Sequence, residues 1–132
     1  MFLIGKKHGK LLSDTALLGR WGQNQCEKFF KAKYFKTLTK NFSCRTGEID
    51  LVVAARDGTV VFVEVKTRKD EKFVDAEAAV TPTKKQRMKK AANLFVKKHK
   101  LDNLPLRFDV VVVIPDENGK AQIRHYENAF AP

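Results

Sequence analysis

The chain has 132 residues, enough for one domain with a sizeable core and too few for separate cofactor and substrate domains. Hydrophobic residues make up 43% and charged residues 31%, with Lys plus Arg at 26 against Asp plus Glu at 15, a formal net charge of +11. This excludes a disordered acidic tail and a collagenous chain, and so much positive charge on one small domain points to a polyanion partner, nucleic acid first.

No apolar run approaches the ~18 residues needed to span a bilayer. Met1-Phe2-Leu3-Ile4 is cut off by Gly5-Lys6-Lys7 before it can make the core of a signal peptide. Cys26 and Cys44 form no CxxC pair, which excludes a disulfide scaffold and a Cys-based zinc site. Two lone cysteines fit a reducing compartment, so the expected location is cytoplasmic. Asn41-Phe42-Ser43 matches a glycosylation acceptor, which without a secretory signal reads as chance. There is no Gly-rich phosphate loop, no dinucleotide fingerprint and no Ser/His/Asp set for acyl transfer.

Residues 1–12 read as a basic arm, and 13–132 as a single domain. Ser13 or Asp14 can cap a first helix over about 15–33, with Leu17, Leu18, Trp21, Phe29 and Phe30 at mainly helical spacing. Gly19 and Gly22 each weaken that helix by ~1 kcal/mol relative to Ala, and glycines at this spacing suit close approach of another element. Tyr34 to Phe42 reads as a first strand, and Ser43 to Gly47 as a turn. Glu48 to Ala55 and Thr59 to Lys66 read as strands joined by an Asp57-Gly58 hairpin turn. Residues 67–80 are a polar connection in which Phe73 is the aromatic suspected of touching a base.

Thr81-Pro82 starts a second helix. Met88, Ala91, Ala92, Phe95 and His99 line its apolar face. Its other faces carry Lys84, Lys85, Arg87, Lys89, Lys90, Lys97, Lys98 and Lys100, eight basic residues with no acid between Thr81 and Lys100. That one-sidedness reads as a phosphate track. Arg107 to Ile114 is a Val-rich interior strand, and Asp116 to Gly119 turns the chain into a short last strand from Ala121 to Tyr126. Arg107 and Asp109 read as a structural ion pair behind the site. His8, His99 and His125 have no metal-ligand spacing.

Alternation along a strand puts Glu48 and Asp50 on one face, opposite Ile49, Leu51 and Val53, and Glu64 with Lys66 on one face of the next strand. Pairing through the Asp57-Gly58 turn sets Asp50 roughly opposite 64 to 66. Acids at the ends of core strands need a compensating partner. Two carboxylates with an open side suit Mg²⁺, which takes a few protein oxygens and completes its shell with water and phosphate. A lysine beside them can stabilise charge that develops on a phosphoryl group. The same residues also read as an ion pair that neutralises a sheet face. Arg45, Arg68, Lys69 and Lys72 flank the patch, either placing a phosphate or serving as ordinary loop charge.

Gly47-Glu-Ile-Asp-Leu-Val52 followed by Val61-Phe-Val-Glu-Val-Lys-Thr-Arg68 resembles the YraN family of endonuclease-like proteins. That family lies in the PD-(D/E)XK nuclease superfamily, alongside archaeal Holliday-junction resolvases. Gly19-Arg-Trp-Gly22, Glu77-Ala-Ala-Val80 with Lys84 and Arg87, Arg107-Phe-Asp-Val-Val111 and Glu127-Asn-Ala-Phe130 extend the likeness from about Leu17 to Phe130. The resemblance implies an α/β, restriction-endonuclease-like αβββαβ core with a mixed sheet flanked by helices. It implies Asp50 and Glu64 as ligands of Mg²⁺ or Mn²⁺, with the Val65 carbonyl as a further one, Lys66 as the catalytic lysine, and Glu48 beside them.

The implied activity is hydrolysis of phosphodiester bonds, in branched or structured DNA. Arg45, Arg68, Lys69, Lys84, Lys85, Arg87, Lys89 and Lys90 are the nucleic-acid contacts expected from the charge pattern. A homodimer follows by analogy with the resolvases. One position departs from the family: a first-helix Glu is replaced by Gln23. Glu27, one turn later, lies ~6 Å along the axis, a large shift for a metal ligand. The alternative is a catalytically weak or inactive nucleic-acid-binding adaptor on a nuclease fold.

Overall fold

The computed structural model describes residues 15–70 and 80–132. The basic arm, the Ser13/Asp14 cap, Lys72, Phe73 and residues 77–79 lie outside them. Helix α1 spans Thr15–Ala32, followed by strands β1 (Lys36–Cys44), β2 (Gly47–Ala54) and β3 (Val60–Thr67). Helix α2 (Pro82–Lys98) precedes β4 (Leu106–Pro115) and β5 (Ala121–Phe130). The element order is the one expected from the sequence.

The strands form one mixed sheet in the order β1-β2-β3-β4-β5. β3 and β4 pair in parallel, and every other neighbouring pair is antiparallel. A parallel pair needs a long crossover, and α2 supplies it. Each helix covers one face. Under α1, Leu18, Trp21, Cys26 and Phe30 pack on Leu51, Val53, Val61, Val63, Val111 and Val113. Under α2, Met88, Ala91, Ala92, Phe95 and Val96 pack on Ile49, Val52, Val60, Phe62 and Phe108. Burial on both faces explains why β3 and β4 read as continuous Val-rich runs. Each fully buried side chain of this size contributes ~1.5–3 kcal/mol.

Local chemistry fixes the ends. Asp57 Oδ1 accepts the Thr59 N–H at 2.9 Å, and Gly58 takes φ 94° in the β2–β3 turn. Asp116 Oδ1 accepts the N–H groups of Asn118 and Lys120, both at 2.8 Å. The Thr81 hydroxyl caps α2 by accepting the Lys84 N–H at 3.2 Å, with Pro82 in the first turn.

Four expectations need correction. β1 begins at Lys36, because Tyr34 takes φ 68° and donates its N–H to the Lys31 carbonyl, closing α1. β5 runs to Phe130, through an irregularity in its pairing with β4 between Phe108 and Val110. His99 is the exposed C-cap of α2, and Val96 takes the inward place expected for it. Ile49 packs on the α2 side, whereas Leu51 and Val53 pack on the α1 side, so the alternation of β2 breaks at Asp50. No helix among the described residues is long and apolar enough to cross a membrane.

Candidate active site

The break at Asp50 builds the site. The pairing of β2 with β3 ends at Leu51↔Val63. Beyond it, Asp50 Oδ2 accepts the Val65 N–H at 2.8 Å, replacing the ladder bond that parted strands lose. That bond turns the carboxylate toward Glu64, a buried acid on β3. Burial first, then the charge of Asp50 and a hydrogen-bonding contact with it, push the Glu64 carboxyl up to about 7, while Lys84 and Lys66 pull it back. The two acids therefore meet as the hairpin register predicts.

Lys66 is half-buried two residues further along β3, on the same strand face as Glu64. Lys84, from the first turn of α2, places its ammonium 3.5 Å from Glu64 Oε2 and 4.0 Å from Glu48 Oε1. Close packing holds that helix end in place: a Cβ on Gly47 would run into the backbone carbonyl of Arg87. Glu48 is largely exposed on the far side of Lys84.

On the α1 side, a cleft of about 530 Å³ opens beside Asp50. α1 contributes Arg20, Gln23 and Asn24, β1 contributes Lys40 and Asn41, and the end of β3 contributes Val65 and Thr67, followed by Arg68. The helix sits close because a Cβ on Gly22 would collide with the Thr67 side chain. A Cβ on Gly19 would meet none of the described residues, so among them Gly22 and not Gly19 serves close packing. Gln23 thus shares the cleft with Asp50. Glu27 does not substitute for an acid there, since its carboxylate accepts from Thr37 Oγ1 at 2.9 Å and pairs with Lys31 at 3.4 Å and Lys40 at 3.3 Å.

The remaining basic positions scatter. Arg45 is exposed in the β1–β2 turn, and Arg68 and Lys69 follow β3 at the cleft end. Lys85 lies 5.7 Å above the Phe130 ring. Lys89 and Lys90 border a groove over Phe108 with Gln86 and Asn93. Arg87 is exposed where α2 meets Gly47.

Sequence reasoning gave Arg20, Asn24, Lys40 and Asn41 no place in the site, and no periodicity marks them; the fold gathers them. It also gave His125 no role. Here Nε2 of His125 lies 2.6 Å from Oδ2 of the fully buried Asp109, and its ring meets Phe29 and Phe30 edge-on. Arg107 bonds both oxygens of Asp109 at 2.9 and 3.0 Å, as the expected structural pair requires.

Two contacting carboxylates on parted strands, one resisting ionisation, form a pair that a divalent cation would relieve. Among the described residues no third His, Cys, Asp or Glu joins them in a metal-holding group. Further oxygens would come from the backbone, water or a phosphate, as suits a Mg²⁺-type ion. The residues present fit such an ion.

Residues 22–113 match the model of the uncharacterised protein family UPF0102. The chain belongs to the UPF0102, or YraN, family. It is 39% identical over 123 residues to a UPF0102 protein of Geotalea daltonii, covering 92% of this chain and 95% of the relative. A UPF0102 protein of Syntrophomonas wolfei is 43% identical over 113 residues, covering 86% of this chain and 96% of that one. One from Hahella chejuensis is 45% identical over 104 residues, covering 78% and 82%. In this UPF0102 member the Gly-Glu-Ile-Asp and Val-Glu-Val-Lys stretches supply Asp50, Glu64 and Lys66, the residues at the parting of β2 and β3.

Proposed function

We propose that this chain is a metal-dependent endonuclease that hydrolyses phosphodiester bonds in branched or structured DNA. The observation that carries the reading is the contact of the Asp50 and Glu64 carboxylates at the parting of two core strands, with Lys66 and Lys84 beside them. Asp50, Glu64 and the Val65 carbonyl would hold Mg²⁺ or Mn²⁺. Such an ion polarises a phosphoryl oxygen and acidifies water when bound.

The chain's own residues do the rest. The Val65 N–H fixes the Asp50 carboxylate. Lys84 steadies Glu64 from the α2 side. Lys66 offers positive charge where a pentavalent phosphoryl group would gather negative charge. Arg68 and the lysines of α2 would hold flanking phosphates. Both cysteines are free, which fits a reducing cytoplasm, and a homodimer is carried by analogy with junction resolvases alone.

A second reading has its own observation. Gln23, a neutral amide, faces the cleft beside Asp50. A site short of one carboxylate suits an adaptor that binds DNA and does not cut it. The test is a cleavage assay on a labelled four-way junction, a flap and a plain duplex, with Mg²⁺, Mn²⁺ or EDTA. Metal-dependent cutting is expected, lost in Asp50→Asn and Glu64→Gln with DNA binding retained. Full cleavage by both variants refutes the site, and binding without cutting favours the adaptor.

A further inference from the structure

The carboxylate chemistry does not account for the cleft under α1. Glu64, Lys66 and Lys84 are absent from its lining, and Asp50 and Val65 alone connect it with the proposed metal site. Among the described lining residues, Arg20, Lys40 and Arg68 set three cations against the single carboxylate of Asp50. Glu27 offsets one of them from outside, through its pair with Lys40. Gln23, Asn24 and Asn41 add three amides, each both donor and acceptor. This lining suits an anion that also carries hydrogen-bonding groups.

Among the described residues, no aromatic ring lines the cleft. Single-strand sites that grip bases by their faces do so on aromatic platforms. This lining instead suits a sugar-phosphate backbone and the edges of its bases. Shape narrows the ligand further. The basic face of α2 is an open helix surface on the other side of the sheet, able to lie along a duplex. The cleft has a helix for one wall and a strand for the other. At about 530 Å³ it falls among sites of ~300–1,000 Å³ that enclose a small organic ligand. A cleft of that size suits a short stretch of one nucleic-acid strand better than two paired strands.

Gly19 completes the argument. Glycine within a helix costs ~0.5–1 kcal/mol relative to alanine. Gly19 repays this with no packing contact among the described residues, where a Cβ there would meet open space along the cleft.

We propose that the cleft is a single-strand channel. It takes unpaired backbone next to the bond held at Asp50 and Glu64, so the preferred substrate carries unpaired nucleotides beside the cut. The inference deepens the nuclease reading and rests on it for what becomes of the strand.

The test is binding to the full chain in EDTA, by fluorescence anisotropy, so that it does not depend on turnover. The probes are a short labelled DNA strand, an RNA strand of the same sequence and the blunt DNA duplex. Gly19→Leu should melt no lower than wild type and bind a single strand about tenfold more weakly, with duplex affinity changed less than about twofold. Arg20→Gln, an exposed charge removal, should weaken strand binding and lower its salt slope by about 0.7. Whichever strand follows this pattern supports the channel and identifies its sugar. Unchanged strand affinity in both variants, or equal losses for strand and duplex, overturns it. If Gly19→Leu selectively loses strand binding while no metal yields cleavage, the channel stands and the nuclease reading falls. If Asp50-dependent cleavage is found while Gly19→Leu binds strands normally, the reverse holds.

Discussion

Replacing Asp109 should be among the most damaging single substitutions in this protein, although it touches neither carboxylate of the candidate site. Its side chain is fully buried and accepts from Arg107 Nε and Nη2, from His125 Nε2 and from the Asn128 N–H. Asp109→Ala leaves a guanidinium, an imidazole and a backbone N–H facing a void. Breaking a buried, hydrogen-bonded charge pair costs ~3–5 kcal/mol. Arg107 keeps Glu127 at 2.6 Å on its exposed side, which places the expected loss near the lower figure, ~3 kcal/mol. For a chain of this length that lowers Tm by roughly 10 °C. Asp109→Asn keeps the shape and should lose less. Burial alone would raise the Asp109 carboxyl, but the hydrogen bonds from His125, Arg107 and Asn128 outweigh it and hold the group below its ordinary 3.8. The unfolded carboxyl therefore takes up a proton first as pH falls. The stability that ionised Asp109 contributes is complete above 3.8 and is lost as pH drops through the lower folded value. Urea denaturation of wild type and Asp109→Asn across pH 3 to 7 checks this. A loss under about 1 kcal/mol in Asp109→Ala, no more than an ordinary hydrogen bond contributes, would refute the reasoning.

Gly22→Ala should destabilise by ~1–3 kcal/mol despite the higher helix propensity of alanine, because the new methyl meets the Thr67 side chain; Thr67→Ala in the same chain should restore part of the loss in thermal melts. Gly19→Ala, where the methyl meets none of the described residues, should instead stabilise by ~0.5–1 kcal/mol, so opposite signs at two glycines three residues apart are the readout. Gly47→Ala must displace backbone at Arg87, and should lower both Tm and any metal-dependent cleavage by moving Lys84 away from Glu64. Gln23→Glu should raise cleavage in Mn²⁺ if the first-helix carboxylate is what the site lacks, and unchanged rates would remove Gln23 from the explanation.

The sequence made the strands legible where burial is symmetrical. Val60 to Val63 and Val110 to Ile114 are buried on both faces, and their apolar runs announce it. The hairpin turn at Asp57-Gly58 then fixed the register that sets Asp50 against β3, so the carboxylate meeting could be anticipated from spacing alone. The interruptions of that regularity could not. Asn41 takes φ 54° between the pairs Lys40↔Leu51 and Phe42↔Ile49, and Asn128 takes φ 54° where β5 slips against Phe108 and Val110. Asparagine tolerates this left-handed conformation, but nothing in either local sequence demands it.

Both interruptions share a physical logic. At each, an aspartate bonds a backbone N–H on a neighbouring strand: Asp50 that of Val65, Asp109 that of Asn128. A buried carboxylate and an N–H that has left the ladder each carry an unmet demand, and each satisfies the other. The outcomes differ in the remaining partners. Asp109 receives Arg107 and His125, and its carboxyl is held low. Glu64, buried and packed against Asp50, is pushed up to about 7 although Lys84 at 3.5 Å and Lys66 pull it back. One aspartate closes a structural network. The other packs against a second acid, whose burial outweighs the pull of Lys84 and Lys66, and leaves that pair at the β2–β3 parting.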